Sequence, residues 1–231
     1  MVTSLIIGGT RGIGLVVSEH LLNRGDQVYT ASRRTLEENN HISCDITKDC
    51  SCLKLRVKEL DNLIFTHRYR GGDWDKTFEV TVKGVENVIQ TLLPNFGKSG
   101  GSVVVINSNA SSFVVQEQPA EYHSSRSALQ GLVRYYAAHY GKKKLRFNTV
   151  LPSTLIKPEN KEFFSGDNDV KKMIEKITPL GRIGRSSDVA NLVEFLCSDQ
   201  SCFITGNSFF VDGGLSLVGQ ESIARGIGNI K

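Results

Sequence analysis

Two rhythms of apolar residues alternate along this chain. Short, nearly unbroken apolar runs lie at residues 2–7, 27–31, 42–46, 63–65, 102–106, 145–151 and 208–211. Runs of that length, rich in Val and Ile, suit strands buried on both faces. Between them apolar positions recur at helical spacing, as with Ile13, Val16, Val17, His20 and Leu21. The pattern predicts helices at about residues 12–23, 48–60, 75–93, 121–140, 169–177 and 187–197. Gly25 closes the first, Pro94 stops the third, and Ser186 or Ser187 is positioned to cap the last. Strands and helices alternate and no internal repeat appears. This predicts a single α/β domain over residues 1–231, built on a doubly wound parallel sheet. Residues 152–179 form the longest connection, polar in composition with Phe163-Phe164 and the short helix near 169–177 within it, and are assigned to a substrate loop because long excursions in compact domains are usually functional or mobile. Residues 219–231 carry little pattern and are expected to form a tail without regular structure.

The first strand ends abruptly in glycine, and Gly8, Gly12 and Gly14 then precede the first helix. Gly8 permits a sharp turn, Gly12 lets backbone approach a ligand with no Cβ between, and Gly14 lets the helix pack close to the strand. Free N–H groups at the helix start, aided by its dipole, make an anion site suited to a pyrophosphate. A glycine cluster that follows a strand and opens a helix has the context of a Rossmann-type dinucleotide turn, which Thr10, Arg11 and Ile13 complete. At the end of the second strand a carboxylate would accept the adenine-ribose 2′-hydroxyl of NAD(H). That position reads Ser32-Arg33-Arg34, and Arg11 adds a cation from the glycine turn. Guanidinium groups suit a 2′-phosphate, so the expected cofactor is NADP(H).

Composition narrows the classes further. The 231 residues are 39% hydrophobic, enough for a substantial core, with no apolar run long enough for a membrane helix. The start lacks a basic and apolar leader, so no signal peptide is expected. Five cysteines, Cys44, Cys50, Cys52, Cys197 and Cys202, include no C-x-x-C pair. An odd, unpatterned set fits reduced thiols in a cytoplasmic protein better than disulfides or zinc. Net charge is only +4, and Lys142-Lys143-Lys144 falls between a helix and a strand without interleaved aromatics. It reads as a solvated turn, so neither nucleic acid nor membrane is an expected partner. His67, Asp73 and Asp75 have no recognised ligand spacing, and no metal is expected.

Together these motifs resemble the short-chain dehydrogenase/reductase family, over about residues 2–218, and within it the branch of 3-oxoacyl-carrier-protein reductases and related secondary-alcohol dehydrogenases. Gly8-x-x-x-Gly12-x-Gly14 resembles the family's nucleotide turn and Asp45 its adenine-contacting aspartate. Tyr122-x-x-x-Arg126 stands where the family has Tyr-x-x-x-Lys, and Ser108 at the family's catalytic serine. Arg146 through Pro152, Pro179 through Gly184, and Thr205-Gly206 through Asp212-Gly213-Gly214 resemble its later segments. The resemblance implies cofactor contacts from Ile46, Thr66, Pro152 and Leu155, and a homodimer or homotetramer. The chain also departs from the family. Phe65-Thr66-His67-Arg68 replaces Asn-Asn-Ala-Gly, Thr81 replaces the active-site asparagine, and Ser153 replaces a glycine. Lys157 lies near the place of a nicotinamide-contacting threonine.

The resemblance implies hydride exchange between a nicotinamide and a small carbonyl or alcohol. Tyr122 would give its phenolic proton to the developing alkoxide. Arg126, one turn along the same helix face, would favour the phenolate and hold ribose hydroxyls, although a guanidinium cannot pass a proton on. Ser108 would orient the substrate oxygen. Thr81 offers a hydroxyl with less reach than an amide. Phe163, Phe164 and Lys157 would line the substrate side, flanked by His67 and His123. A dinucleotide-binding module with little chemistry, acting as a sensor or assembly partner, is the alternative these departures leave open.

Overall fold

The computed structural model describes residues 1–228. In chain order it runs β1 (Thr3–Ile7), α1 (Gly12–Arg24), β2 (Gln27–Ser32), β3 (His41–Ser43), α2 (Ser51–Arg56) and β4 (Asn62–Phe65). Next come α3 (Trp74–Phe78), a π-helical turn (Glu79–Lys83), α4 (Gly84–Leu92), β5 (Gly101–Ile106), α5 (Ala120–Tyr140) and β6 (Leu145–Pro152). The last third holds β7 (Leu155–Ile156), α6 (Asp169–Ile177), β8 (Gly184–Arg185), α7 (Ser186–Leu196), β9 (Ser208–Val211) and α8 (Gln220–Gly228). Seven strands form one sheet, every pair parallel, in the order β3-β2-β1-β4-β5-β6-β9. This is the doubly wound, Rossmann-type α/β fold that the alternating pattern predicts.

The strands' two-residue period sorts their side chains into two cores. Leu5, Ile7, Leu63, Phe65, Val103 and Val105 face Val85 and Val88 of α4 and Leu129, Val133 and Tyr136 of α5. Ile6, Ile64, Val104 and Ile106 face the other way, onto Val17 and Leu21 of α1 and Val189, Val193 and Leu196 of α7. Each fully buried side chain of this kind contributes about 1.5–3 kcal/mol. A strand slipped by one residue would exchange the two sets, so the helices on both faces fix the register.

Local departures from the expected elements have local causes. The second helix spans only Ser51–Arg56, because Val57 and Leu60 leave helical geometry to enter the core, where Leu60 pairs with Phe96 as an isolated bridge. The third strand stops at Ser43, freeing Cys44, Asp45 and Ile46 to turn along the sheet edge. The long third helix is interrupted by the π turn. Immediately beyond it Gly84 presses on the β3–α2 connection, where a Cβ would lie 2.8 Å from Ile46 Cδ1. Neither Ser186 nor Ser187 caps α7; the Asp188 carboxylate accepts from the Arg185 N–H at 2.7 Å instead. The expected tail is helical over Gln220–Gly228, and Lys176 Nζ of α6 donates to the Ile227 carbonyl at 3.3 Å. Residues 229–231 of that tail lie outside the described residues. The excursion after β6 is tied back by a two-residue parallel ladder, Leu155–Ile156 with Gly184–Arg185. Among the described residues no helix is long and apolar enough to cross a membrane, and all five cysteines are free thiols.

Candidate active site

Strand order reverses at β1, whose neighbours are β2 and β4, and there the carboxyl ends of the strands open on a cleft of about 970 Å³. Such a switch point is where doubly wound sheets hold ligands. Every strand from β1 to β6 delivers residues to it through the loop that follows: Gly8 to Ile13, Ser32 to Arg34, Cys44 to Ile46, Thr66 to Gly71, Asn107 to Asn109, and Pro152 to Leu155.

The glycine turn has the shape a phosphate cradle needs. Gly8 (φ 90°) and Gly12 (φ 59°) both adopt left-handed backbone, and the Gly8 N–H donates to Ala31 O at 2.8 Å. A Cβ on Gly8 would lie 2.8 Å from the His67 nitrogen and 2.9 Å from Thr66 Oγ1. Gly14 acts from behind and does not line the cleft. A Cβ there would fall on the Gly8 carbonyl oxygen and 2.5 Å from Thr66 Oγ1, so the start of α1 sits as near β1 as backbone allows. Thr66 fixes that contact, its hydroxyl donating to Ile7 O at 3.1 Å. A dinucleotide therefore fits this turn, with its pyrophosphate at the exposed N–H groups of α1.

Where the loops after β1 and β2 line the cleft, Arg11, Arg33 and Arg34 are exposed and make no ion pair with any described residue. Burial raises the proton affinity of Asp45, but hydrogen bonds from the Thr47 N–H (3.1 Å) and hydroxyl (2.8 Å), with Lys48 and Arg33 nearby, outweigh it. The carboxyl is held below its usual range.

Ser108, Tyr122 and Arg126 line the same cleft. Ser108 Oγ accepts from the Ala110 N–H at 3.2 Å, capping the short turn that follows β5. Tyr122 and Arg126 share a face of α5, and the guanidinium carbon lies 4.9 Å from the centre of the Tyr122 ring. Arg126 is only 3% exposed. Burial lowers its proton affinity, Tyr122 opposes that, and Arg68 adds to it. Asn107, which the sequence reading passed over, donates from Nδ2 to the Arg126 carbonyl at 2.9 Å and pins α5 to the end of β5. Its signal was the first polar residue after an unbroken apolar strand.

Four residues are placed differently from expectation. Thr81 is buried within the π turn and does not line the cleft; Val80 does. Phe163 and Phe164 pack edge-on with ring centres 4.9 Å apart, outside the lining, whereas Lys157 is part of it. His123 also lies outside it; its Nε2 accepts from the Val115 N–H at 2.9 Å, and its Nδ1 faces Pro119 O at 3.0 Å.

His67 occupies the ground between the cradle and the π turn. Its Nε2 donates to Val80 O at 3.2 Å, a carbonyl of the turn, which leaves Nδ1 as a shielded acceptor without a partner. Asn107 Oδ1 and Arg126 Nε are likewise buried and unpaired. His67 as a whole is half-buried, but its ring is enclosed, and burial pushes its pKa down to about 4. The unfolded chain takes up a proton near pH 6.5 that the folded imidazole refuses until about pH 4. Stability is therefore complete above that window and falls through it, by on the order of 3 kcal/mol. Urea unfolding of wild type and His67→Gln at pH 7.5 and 4.5 checks this: the loss between the two pH values should be smaller in the variant by about that amount.

The comparisons with known proteins agree with this geometry. A family profile described as enoyl-(acyl carrier protein) reductase matches residues 65–216. The chain belongs to the short-chain dehydrogenase/reductase family. A tropinone reductase homolog of Arabidopsis thaliana is 29% identical to this short-chain dehydrogenase/reductase over 94% of the chain and 91% of the relative. The dehydrogenase/reductase SDR family member 4 of Caenorhabditis elegans is 27% identical over 92% and 94%. Among solved structures, a short-chain dehydrogenase family protein from Francisella tularensis aligns with a TM-score of 0.80 at 26% identity, covering 94% of this chain and all of that one. The ligand-free aldohexose dehydrogenase of Thermoplasma acidophilum aligns at 0.81 and 25%, covering 95% and 96%. Members of the family are oxidoreductases that bind a nicotinamide dinucleotide and act on small molecules.

Proposed function

We propose that this short-chain dehydrogenase/reductase interconverts a ketone and a secondary alcohol with NADP(H), Tyr122 serving as the proton donor. The reading rests on one observation: Ser108, Tyr122 and Arg126 share a single cleft with the glycine cradle. The bound nicotinamide supplies or accepts the hydride. The chain's own groups do the rest. The turn from Gly8 to Ile13 binds the pyrophosphate, and Asp45, Ile46, Pro152 and Leu155 line the cofactor's path. Ser108 and Tyr122 hydroxyls converge on the substrate oxygen and stabilise the charge that grows there. Tyr122 then yields its proton. The Arg126 guanidinium lies over its ring and keeps its charge throughout.

Ser32, Arg33 and Arg11 support the phosphorylated cofactor, because they present hydroxyl and guanidinium donors and no carboxylate where the two cofactors differ. Arg33→Ala is expected to weaken NADPH binding about ten- to a hundredfold while changing NADH little, since a charge-assisted contact to phosphate is worth about 1.5–3 kcal/mol. Fluorescence titration of both cofactors checks it, and an unchanged ratio of affinities would refute the preference. The proposed activity itself is tested by following NADPH absorbance with a panel of small ketones and 3-oxoacyl thioesters.

A second reading, a dinucleotide-binding module with little chemistry, is favoured by Thr81 lying outside the cleft and by a guanidinium in place of an exchangeable ammonium. NADPH binding without turnover of any carbonyl, unrescued by Arg126→Lys, would support it. Rapid reduction of one ketone would dismiss it.

A further inference from the structure

Charge is distributed unevenly in the cleft. Its lining carries Arg11, Arg33, Arg34, Arg68, Arg70, Arg126 and Lys157 against two carboxylates, Asp45 and Glu159. The first three arginines belong to the loops after β1 and β2, and Arg126 is committed to Tyr122. Arg68, Arg70 and Lys157 remain; Arg68 and Arg70 are exposed, and both lie in electrostatic range of Lys157, as does the Tyr122 phenol. None of the three forms an ion pair with any described residue. Lys157 is half-buried; burial lowers its proton affinity and Arg68 and Arg70 lower it further, against the pull of Glu159 and Tyr122. Glu159 does not neutralise the group. Its carboxylate leans on the glycine turn, where a Cβ at Gly12 would meet Oε1 at 2.9 Å. Beneath the three cations, Arg126 adds a buried guanidinium whose Nε has no partner. Holding Lys157 half-buried beside two exposed cations costs free energy in the ligand-free protein. An anion entering beside Tyr122 recovers that cost.

We infer that the substrate is an acidic carbonyl compound, with a carboxylate or phosphate within a few bonds of the reacting carbonyl, held by Arg68, Arg70 and Lys157 while its oxygen meets Ser108 and Tyr122. This inference rests on the proposed reductase reading and narrows it to a substrate class. Arg70 and Arg68 offer planar forks suited to a carboxylate, and Lys157 a point charge on a short reach. The acid is thereby an orienting handle. It fixes which face of the carbonyl turns toward the nicotinamide.

Matched pairs of substrates test it: acetoacetate against methyl acetoacetate, and dihydroxyacetone phosphate against dihydroxyacetone, each with NADPH. The acidic member of at least one pair should have the higher kcat/KM. Which pair responds distinguishes carboxylate from phosphate. Arg70→Ala and Lys157→Met should each lower the acid-to-neutral ratio about ten- to a hundredfold. In parallel, calorimetry measures malonate and inorganic phosphate binding to the NADPH-loaded protein, a readout that needs no turnover. A preference for neutral carbonyls, or ratios that neither variant moves, overturns the inference and leaves the reductase reading standing. NADPH affinity lost in both variants with the ratio unchanged also overturns it, since the cations would then belong to the cofactor. Anion binding that depends on Arg70 and Lys157, with no carbonyl reduced, upholds the anion site and removes the reductase reading.

Discussion

Tyr122→Phe is expected to lower ketone reduction about a thousandfold, the middle of the range that a positioned proton donor contributes. The substitution is nearly isosteric. It keeps the ring on which the Arg126 guanidinium rests at 4.9 Å, so α5 and the end of β5 should stay in place. Steady-state kinetics with a turned-over ketone give the size of the effect. Circular dichroism and the melting temperature show that the fold is retained. Equal rates for the two proteins would remove Tyr122 from the chemistry and leave the cleft as a binding site alone.

Gly14→Ala should be the most damaging small change in the cofactor cradle. Helix propensity alone would favour it by about 1 kcal/mol, because alanine orders the first turn of α1 better than glycine. Packing decides the other way. The new methyl would overlap the Gly8 carbonyl oxygen and lie 2.5 Å from Thr66 Oγ1. Neither atom is at the end of a flexible side chain, so α1 must move off β1. Overpacking of this kind costs about 1–3 kcal/mol, partly offset by the propensity gain. A chain of this size should then melt several degrees lower, at about 2–4 °C per kcal/mol. The effect on binding should be larger than on stability, because the proposed pyrophosphate site is formed by the N–H groups that the shift of α1 displaces. NADPH affinity is expected to fall by more than tenfold. Calorimetric titration measures it, and wild-type affinity in Gly14→Ala would show that the helix start does not hold the cofactor.

How far the sequence discloses this molecule depends on the kind of interaction involved. The parallel sheet was legible because strands buried on both faces must be apolar throughout, as Leu5-Ile6-Ile7 and Val103-Val104-Val105 are, and because glycine has physical work to do at Gly8 and Gly12. The position of α6, Asp169–Ile177, was legible from amphipathic spacing despite its setting in a polar excursion. The π turn at Glu79–Lys83 was not legible. One extra residue per turn leaves the apolar count almost unaltered; Thr81 is buried within it, and the Val80 carbonyl accepts from His67. The capping of α7 was misread for a similar reason. Ser186 and Ser187 have the right chemistry, but the carboxylate of Asp188 reaches back to the Arg185 N–H first. The gathering of Arg68, Arg70 and Lys157 brings together loops after β4 and β6, strands separated by β5 in the sheet. No local pattern encodes a meeting of that kind.

The strand order also governs how the chain can assemble as it leaves the ribosome. β1 emerges first, yet it occupies an interior place, and its partner β4 begins at Asn62, after two further strands and two helices have been made. Nascent polypeptide must therefore hold an apolar strand unpaired on one side until that partner arrives. Such long-range pairing is slow and leaves sticky surface uncovered in the interval. The final strand, Ser208–Val211, joins only at the outer margin beside β6. Six strands can pair before that last one is made, but the face that packs on α7 stays uncovered until Ser186–Leu196 has been made.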